Sequence, residues 1–151
     1  MNARTALATA VLSLAFAGCG DDQDPTGAQL LWDRIAVENY QSWERAPKYE
    51  TRKPSFTSHS ESVEIFMNPI LAKSVAERPV KEWPVGSLVV KRGYTIRGNL
   101  TLVAAMEKRA DAWYFYEYGA DGDATFSGRP KLCIDCHKSG ADFVWALSFV
   151  K

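Results

Sequence analysis

The chain is poor in the residues that most often bind metals or staple small folds: three cysteines, two histidines and three methionines in 151 residues. So few cysteines exclude a disulfide-dense scaffold, and Cys19 is left without a neighbouring thiol. An excess of charge of either sign is missing too, with 18 basic against 18 acidic side chains. A nucleic-acid partner is therefore not expected, because there is no basic excess to displace phosphate counterions. No internal repeat appears, and no apolar run approaches the roughly 20 residues of a bilayer-spanning helix.

The longest small or apolar run, broken only by Thr9 and Ser13, is Ala6 to Ala17, after a short cationic start containing Arg4. This is the pattern of a secretory signal. It closes on Phe16-Ala17-Gly18-Cys19, which resembles a bacterial lipobox with Phe16 where Leu is usual. The expectation is a lipoprotein signal peptide over 1–18, lipidation of Cys19 and a polar tether over 19–27, solvated by Asp21, Asp22 and Asp24. The alternative is ordinary cleavage near Ala17. Removal of 1–18 takes Arg4 alone from the charged set, leaving 17 basic and 18 acidic side chains. The domain expected over 28–151 would face the periplasm of a bacterial envelope, anchored to a membrane by lipid, with the outer membrane favoured because Gly20 follows the cysteine.

One motif dominates what remains. Cys133-Ile134-Asp135-Cys136-His137 is a C-x-x-C-H sequence, the attachment signal for one covalent haem c. Both thiols add across haem vinyl groups, and the histidine that follows becomes the axial ligand of the iron. A redox dithiol would instead open a helix in a thioredoxin-like βαβ unit, which the pattern does not contain. Half a zinc site would need a second ligand pair, for which only the distant Cys19 and His59 are available.

Periodicity predicts an α+β fold, mostly antiparallel sheet with an N-terminal helix and short flanking helices. Leu31 and Ile35 recur at helical spacing between Ala28 and about Trp43. Residues 45–60 read as loop. Ser62 to Met67 alternates as a strand, after which Asn68 caps a short helix begun by Pro69 and running to Ala76. Residues 87–94, 100–108 and 112–119 are rich in Val, Thr, Tyr, Trp and Phe and are spaced as a meander. Residues 141–149 form a terminal helix or strand.

Only fourteen residues follow His137, so the rest of a haem pocket must come from upstream strands. Alternation puts Glu117 on the face of Trp113 and Phe115, either at a solvated strand end or buried where a raised pKa would serve proton transfer. Lys91 shares a face with Val89, while Arg92 shares the other with Leu88 and Val90. An arginine there argues that one face is solvated. Phe66, Val89, Phe115 and Phe143 are the expected apolar wall. His59, between serines, reads as a loop residue before a sixth iron ligand, and Met67 and Met106 as core before ligand.

About residues 28–149 resemble the cytochrome P-460 family and its relatives, the β-sheet cytochromes c′-beta. The resemblance lies in Ser58-His59 through Phe66-Met67-Asn68, Trp83-Pro84-Val85-Gly86-Ser87-Leu88-Val89-Val90-Lys91, Trp113-Tyr114-Phe115-Tyr116-Glu117, and Leu132 to His137 followed by Asp142-Phe143-Val144. It implies an antiparallel β fold, commonly a homodimer, holding one haem with an open distal face. P-460 members carry a lysine linked to the porphyrin, oxidise hydroxylamine and use a distal carboxylate to relay protons. Lys91 matches that lysine, ahead of Lys73 and Lys81, and Glu117 matches the carboxylate. The c′-beta members lack the link and bind nitric oxide or carbon monoxide in an apolar pocket. Expected partners are thus a small nitrogen oxide or diatomic gas and an electron-accepting cytochrome. A plain electron-transfer cytochrome c is the further alternative.

Overall fold

The computed structural model describes residues 23–77 and 81–147. The expected signal peptide, Cys19 and the first part of the tether lie outside the described residues. Helix α1 (Pro25–Val37) starts where Asp24 accepts a bond from the Gly27 amide, with proline at the first turn. It stops six residues before the expected end at Trp43, because Asn39 takes a left-handed conformation (φ 48°) and a single 3₁₀ turn, Tyr40–Ser42, redirects the chain. The residues 45–60 expected to be loop include the second residue of a two-residue strand, β1 (Glu44–Arg45), and all of another, β2 (Lys53–Pro54).

Strand β3 (Ser62–Met67) runs directly into α2 (Pro69–Ala76), as the alternation and the Asn-Pro pair predict. Asn68 does more than cap. Its Oδ1 accepts from the Leu71 and Leu88 amides, and its Nδ2 donates to the Gly86 carbonyl at 2.9 Å. The meander follows as β4 (Leu88–Tyr94), β5 (Leu100–Lys108) and β6 (Trp113–Gly119), then β7 (Ala124–Phe126), a strand not expected from the pattern. All pairings are antiparallel, in the order β1-β3-β4-β5-β6-β7, with β2 also on β3. Last come α3 (Lys131–His137) and a 3₁₀ turn, Trp145–Leu147. Residues 148 and 149 of the expected terminal element lie outside the described residues.

The sheet is covered on both faces, contrary to the inference drawn from Arg92. On one face Leu88, Val90, Val103, Tyr116 and Tyr118 pack under Ala28, Leu31 and Ile35 of α1. Arg92 escapes this cover at the strand end, where Gln41 and Glu64 meet it. On the other face Val63, Ile65, Met67, Val89, Met106, Trp113 and Phe115 pack with Leu71 of α2 and with Val144 and Leu147 of the terminal segment. Phe66 belongs to the α1 face, edge-on to Tyr40 at 5.6 Å. The strand's period of two separates it from Val63 and Ile65, so it is not part of the wall on which Val89 and Phe115 lie.

Candidate haem site

Helix α3 brings three side chains together by spacing alone. Cys133, Cys136 and His137 stand at i, i+3 and i+4, one face of a helix, and all three line one cavity of about 390 Å³. A second cavity of about 490 Å³ adjoins it, sharing His59, Val89, Lys91, Met106, Cys136 and His137. Each lies within the range of roughly 300–1,000 Å³ that holds a small molecule or cofactor.

The sheet supplies the floor. Cross-strand register sets Ile65, Lys91, Ala104, Glu117 and Phe126 in one row. The adjacent row on the same face is Met67, Val89, Met106 and Phe115. Lys91 and Glu117 therefore flank Ala104, whose small side chain leaves the space between them open. At a strand spacing of roughly 4.8 Å their backbones stand about 10 Å apart. A register shift between Glu117 and Tyr118 bulges β7, and there Thr125 donates to the Glu117 carbonyl at 3.0 Å.

His137 is held by its own downstream loop. Its Nδ1 lies 2.9 Å from the Phe143 carbonyl; a carbonyl only accepts, so Nδ1 carries the proton and Nε2 keeps its lone pair. Burial pushes the imidazole's pKa down, nearby Lys91 and His59 push the same way, and the Phe143 carbonyl opposes them. The ring is thus held neutral, the form that ligates a metal. Phe143 and Asp142 both have positive φ, 68° and 41°, strained values that persist only where surroundings impose them. Here the Asp142 carboxylate accepts from the Trp83 amide at 2.9 Å and pairs with Lys108 at 3.2 Å, while Trp83 Nε1 donates to the Ala141 carbonyl. Phe143 itself packs on Phe115 at 6.4 Å.

Lys91 is partly buried, and burial pushes its ammonium down to about 8 although the Cys136 thiol and Glu117 hold it up. The other lysine candidates are elsewhere: Lys73 is an exposed residue of α2 paired with Glu77, and Lys81 is exposed. Glu117 is neither free nor simply solvated. Its Oε2 lies 2.9 Å from His59 Nδ1, with both side chains about four-fifths buried. His59 is therefore a hydrogen-bonded loop residue, as expected, and it also lines both cavities. Met106 lines them too, whereas Met67 is core.

Two features were not read from the sequence. The Phe143 carbonyl is a backbone group with no side-chain signature, and the His59–Glu117 pair joins residues 58 positions apart. Among the described residues no three His, Cys, Asp or Glu side chains cluster as a metal site. A haem needs no such cluster, since the porphyrin supplies four of the donors. The paired thiols, the neutral anchored imidazole and the apolar trough of Val89, Met106, Phe115 and Leu132 fit a covalently attached haem. No helix is long and apolar enough to cross a membrane among the described residues. No protein-family model matches the chain, and neither does any curated protein.

Proposed function

We propose that the chain is an envelope-located mono-haem c-type cytochrome of the P-460 type, oxidising hydroxylamine or a related nitrogen oxide and passing electrons to another cytochrome. The observation that carries this reading is the convergence of Cys133, Cys136 and His137 with Lys91 and Glu117 around one trough. Cys133 and Cys136 would each add S–H across a vinyl double bond, forming one C–S and one C–H bond. His137 Nε2 would hold the iron, its ring oriented by the Phe143 carbonyl. The bound haem would supply an iron able to coordinate a small nitrogen ligand and to take its electrons.

The chain's own groups serve the protons. Glu117 and His59 share one at a 2.9 Å hydrogen bond, so a proton released in the trough has an acceptor already linked to a second titratable group. Lys91, held near 8, has a neutral fraction close to physiological pH and so offers a lone pair on the wall of the trough.

Mass spectrometry of the purified protein, followed by reduced absorption spectra with and without carbon monoxide, tests the reading. Added haem mass and a broad, red-shifted band that moves with carbon monoxide are expected, with hydroxylamine oxidation as the next assay. An ordinary c-type spectrum that still responds would favour a gas-binding cytochrome of the c′-beta type with Lys91 unlinked. Absence of haem mass would overturn both.

A further inference from the structure

We infer that His59 is the second axial donor to the haem iron, displaceable by a small ligand, with Glu117 as the positioning residue that aims it. This rests on the covalent-haem part of the reading above and departs from the open distal face that the P-460 resemblance implies. Four observations converge. His59 and His137 line the same two cavities. Each imidazole has Nδ1 tied down, His137 to the Phe143 carbonyl and His59 to the Glu117 carboxylate, both at 2.9 Å. An ionised carboxylate only accepts, so His59 carries its proton on Nδ1 and presents Nε2 as a free donor, as His137 does. A carboxylate or carbonyl behind a ligating histidine is the usual way its tautomer and ring orientation are set.

The third observation is distance. The two ring centroids are 6.3 Å apart. With metal–nitrogen bonds of about 2 Å and each ring centroid about 1 Å behind its nitrogen, two imidazoles on one metal stand about 6 Å apart. The 64° between the ring planes is compatible, because axial ring planes both contain the ligand axis and are free to rotate about it. An exogenous ligand cannot be interposed at this separation; it must push His59 aside.

The fourth observation explains why that is feasible. His137 stands at the end of a helix, whereas His59 rides a bend between β2 and β3. The bend lies against β4 only because residue 93 is glycine. A Cβ there would meet Ser60 Oγ at 2.3 Å and the His59 carbonyl at 3.1 Å. Ser60 adopts a left-handed conformation (φ 78°) at the same place. His59 is thus a donor on a close-lying loop, while Met106, the other donor type in the trough, is fixed within β5.

The test uses the full-length protein carrying covalent haem. Ferric wild type is expected to be low-spin and six-coordinate by absorption and electron paramagnetic resonance. His59→Ala should be high-spin, bind carbon monoxide at least tenfold faster when ferrous, and return to low spin on adding imidazole. Glu117→Gln should keep low spin yet raise the reduction potential, a shift that a merely structural role would not produce. A wild type that carries haem but is five-coordinate, or whose carbon monoxide rate is unchanged in His59→Ala, overturns the inference and leaves the haem reading standing. Absence of haem mass defeats that reading instead. If His59→Ala fails to accumulate, His59→Gln with imidazole rescue gives the same readout.

Discussion

Replacing Asp142 by alanine probes the loop that orients His137. Three contributions are lost. The hydrogen bond to the buried Trp83 amide, 2.9 Å long, is worth about 1 kcal/mol. The ion pair with Lys108 joins side chains only 9% and 14% exposed, and breaking a buried pair outright costs about 3–5 kcal/mol. Lys108, however, keeps Glu82 at 2.8 Å, a partner 71% exposed, so about 1–2 kcal/mol is the better figure. Burial acts against the Lys108 ammonium, yet Glu82 and Asp142 together hold it above its ordinary pKa. Finally, alanine at φ 41° is less tolerated than aspartate by about 1 kcal/mol. Asp142→Ala should therefore cost about 3–4 kcal/mol, read as a lower urea midpoint at unchanged slope. Asp142→Asn retains an acceptor for Trp83 and the tolerance of left-handed backbone, so it should cost about 1–2 kcal/mol. A loss below about 1 kcal/mol for alanine, or equal losses for both variants, would refute this account of how the loop is held.

Two further outcomes are expected. Lys91 is depressed to about 8 from 10.5, so between those values the unfolded chain binds more protons and stability rises with pH. In the haem-free chain Lys91→Met should be more stable than wild type by about 2–3 kcal/mol at pH 7, with the advantage shrinking above pH 8 and gone near 10.5; a pH-independent difference in urea midpoint would contradict this. Asn68 is 2% exposed and accepts from two amides, those of Leu71 and Leu88, so Asn68→Ala should cost about 3 kcal/mol, and Asn68→Asp, which keeps both acceptances but turns a buried carboxylate oxygen toward the Gly86 carbonyl, should cost at least as much by the same measure.

Local pattern sufficed wherever a residue's role depended on its neighbours in the chain. Strand β3, the Asn68 cap and the three meander strands all follow from spacing, whereas the helix that carries Cys133, Cys136 and His137 was not expected. Roles set across the sheet did not. The Glu117–His59 pair and the clasp of Asp142 by Trp83 and Lys108 link residues 34 or more positions apart, and no periodicity reports such a bond. Phe66 shows a different failure: its size drew it toward the cavity wall, but strand parity decides the face, and parity sets it against Tyr40. Arg92 misled for a related reason, because one charged residue at a strand end says little about the cover over the strand's middle.

The two covered faces of the sheet give the chain two separate mutational territories. Tyr118, Leu88, Val103 and the α1 residues they pack with line neither cavity, although Ala105 and Tyr116 of the same cluster border the trough, and substitutions at positions well away from one another tend to add independently. The α1 side can thus drift, repack or be reinforced as a store of stability. The opposite side is then free to carry costly features: a depressed lysine, a left-handed Asp-Phe pair and a glycine that admits a histidine loop.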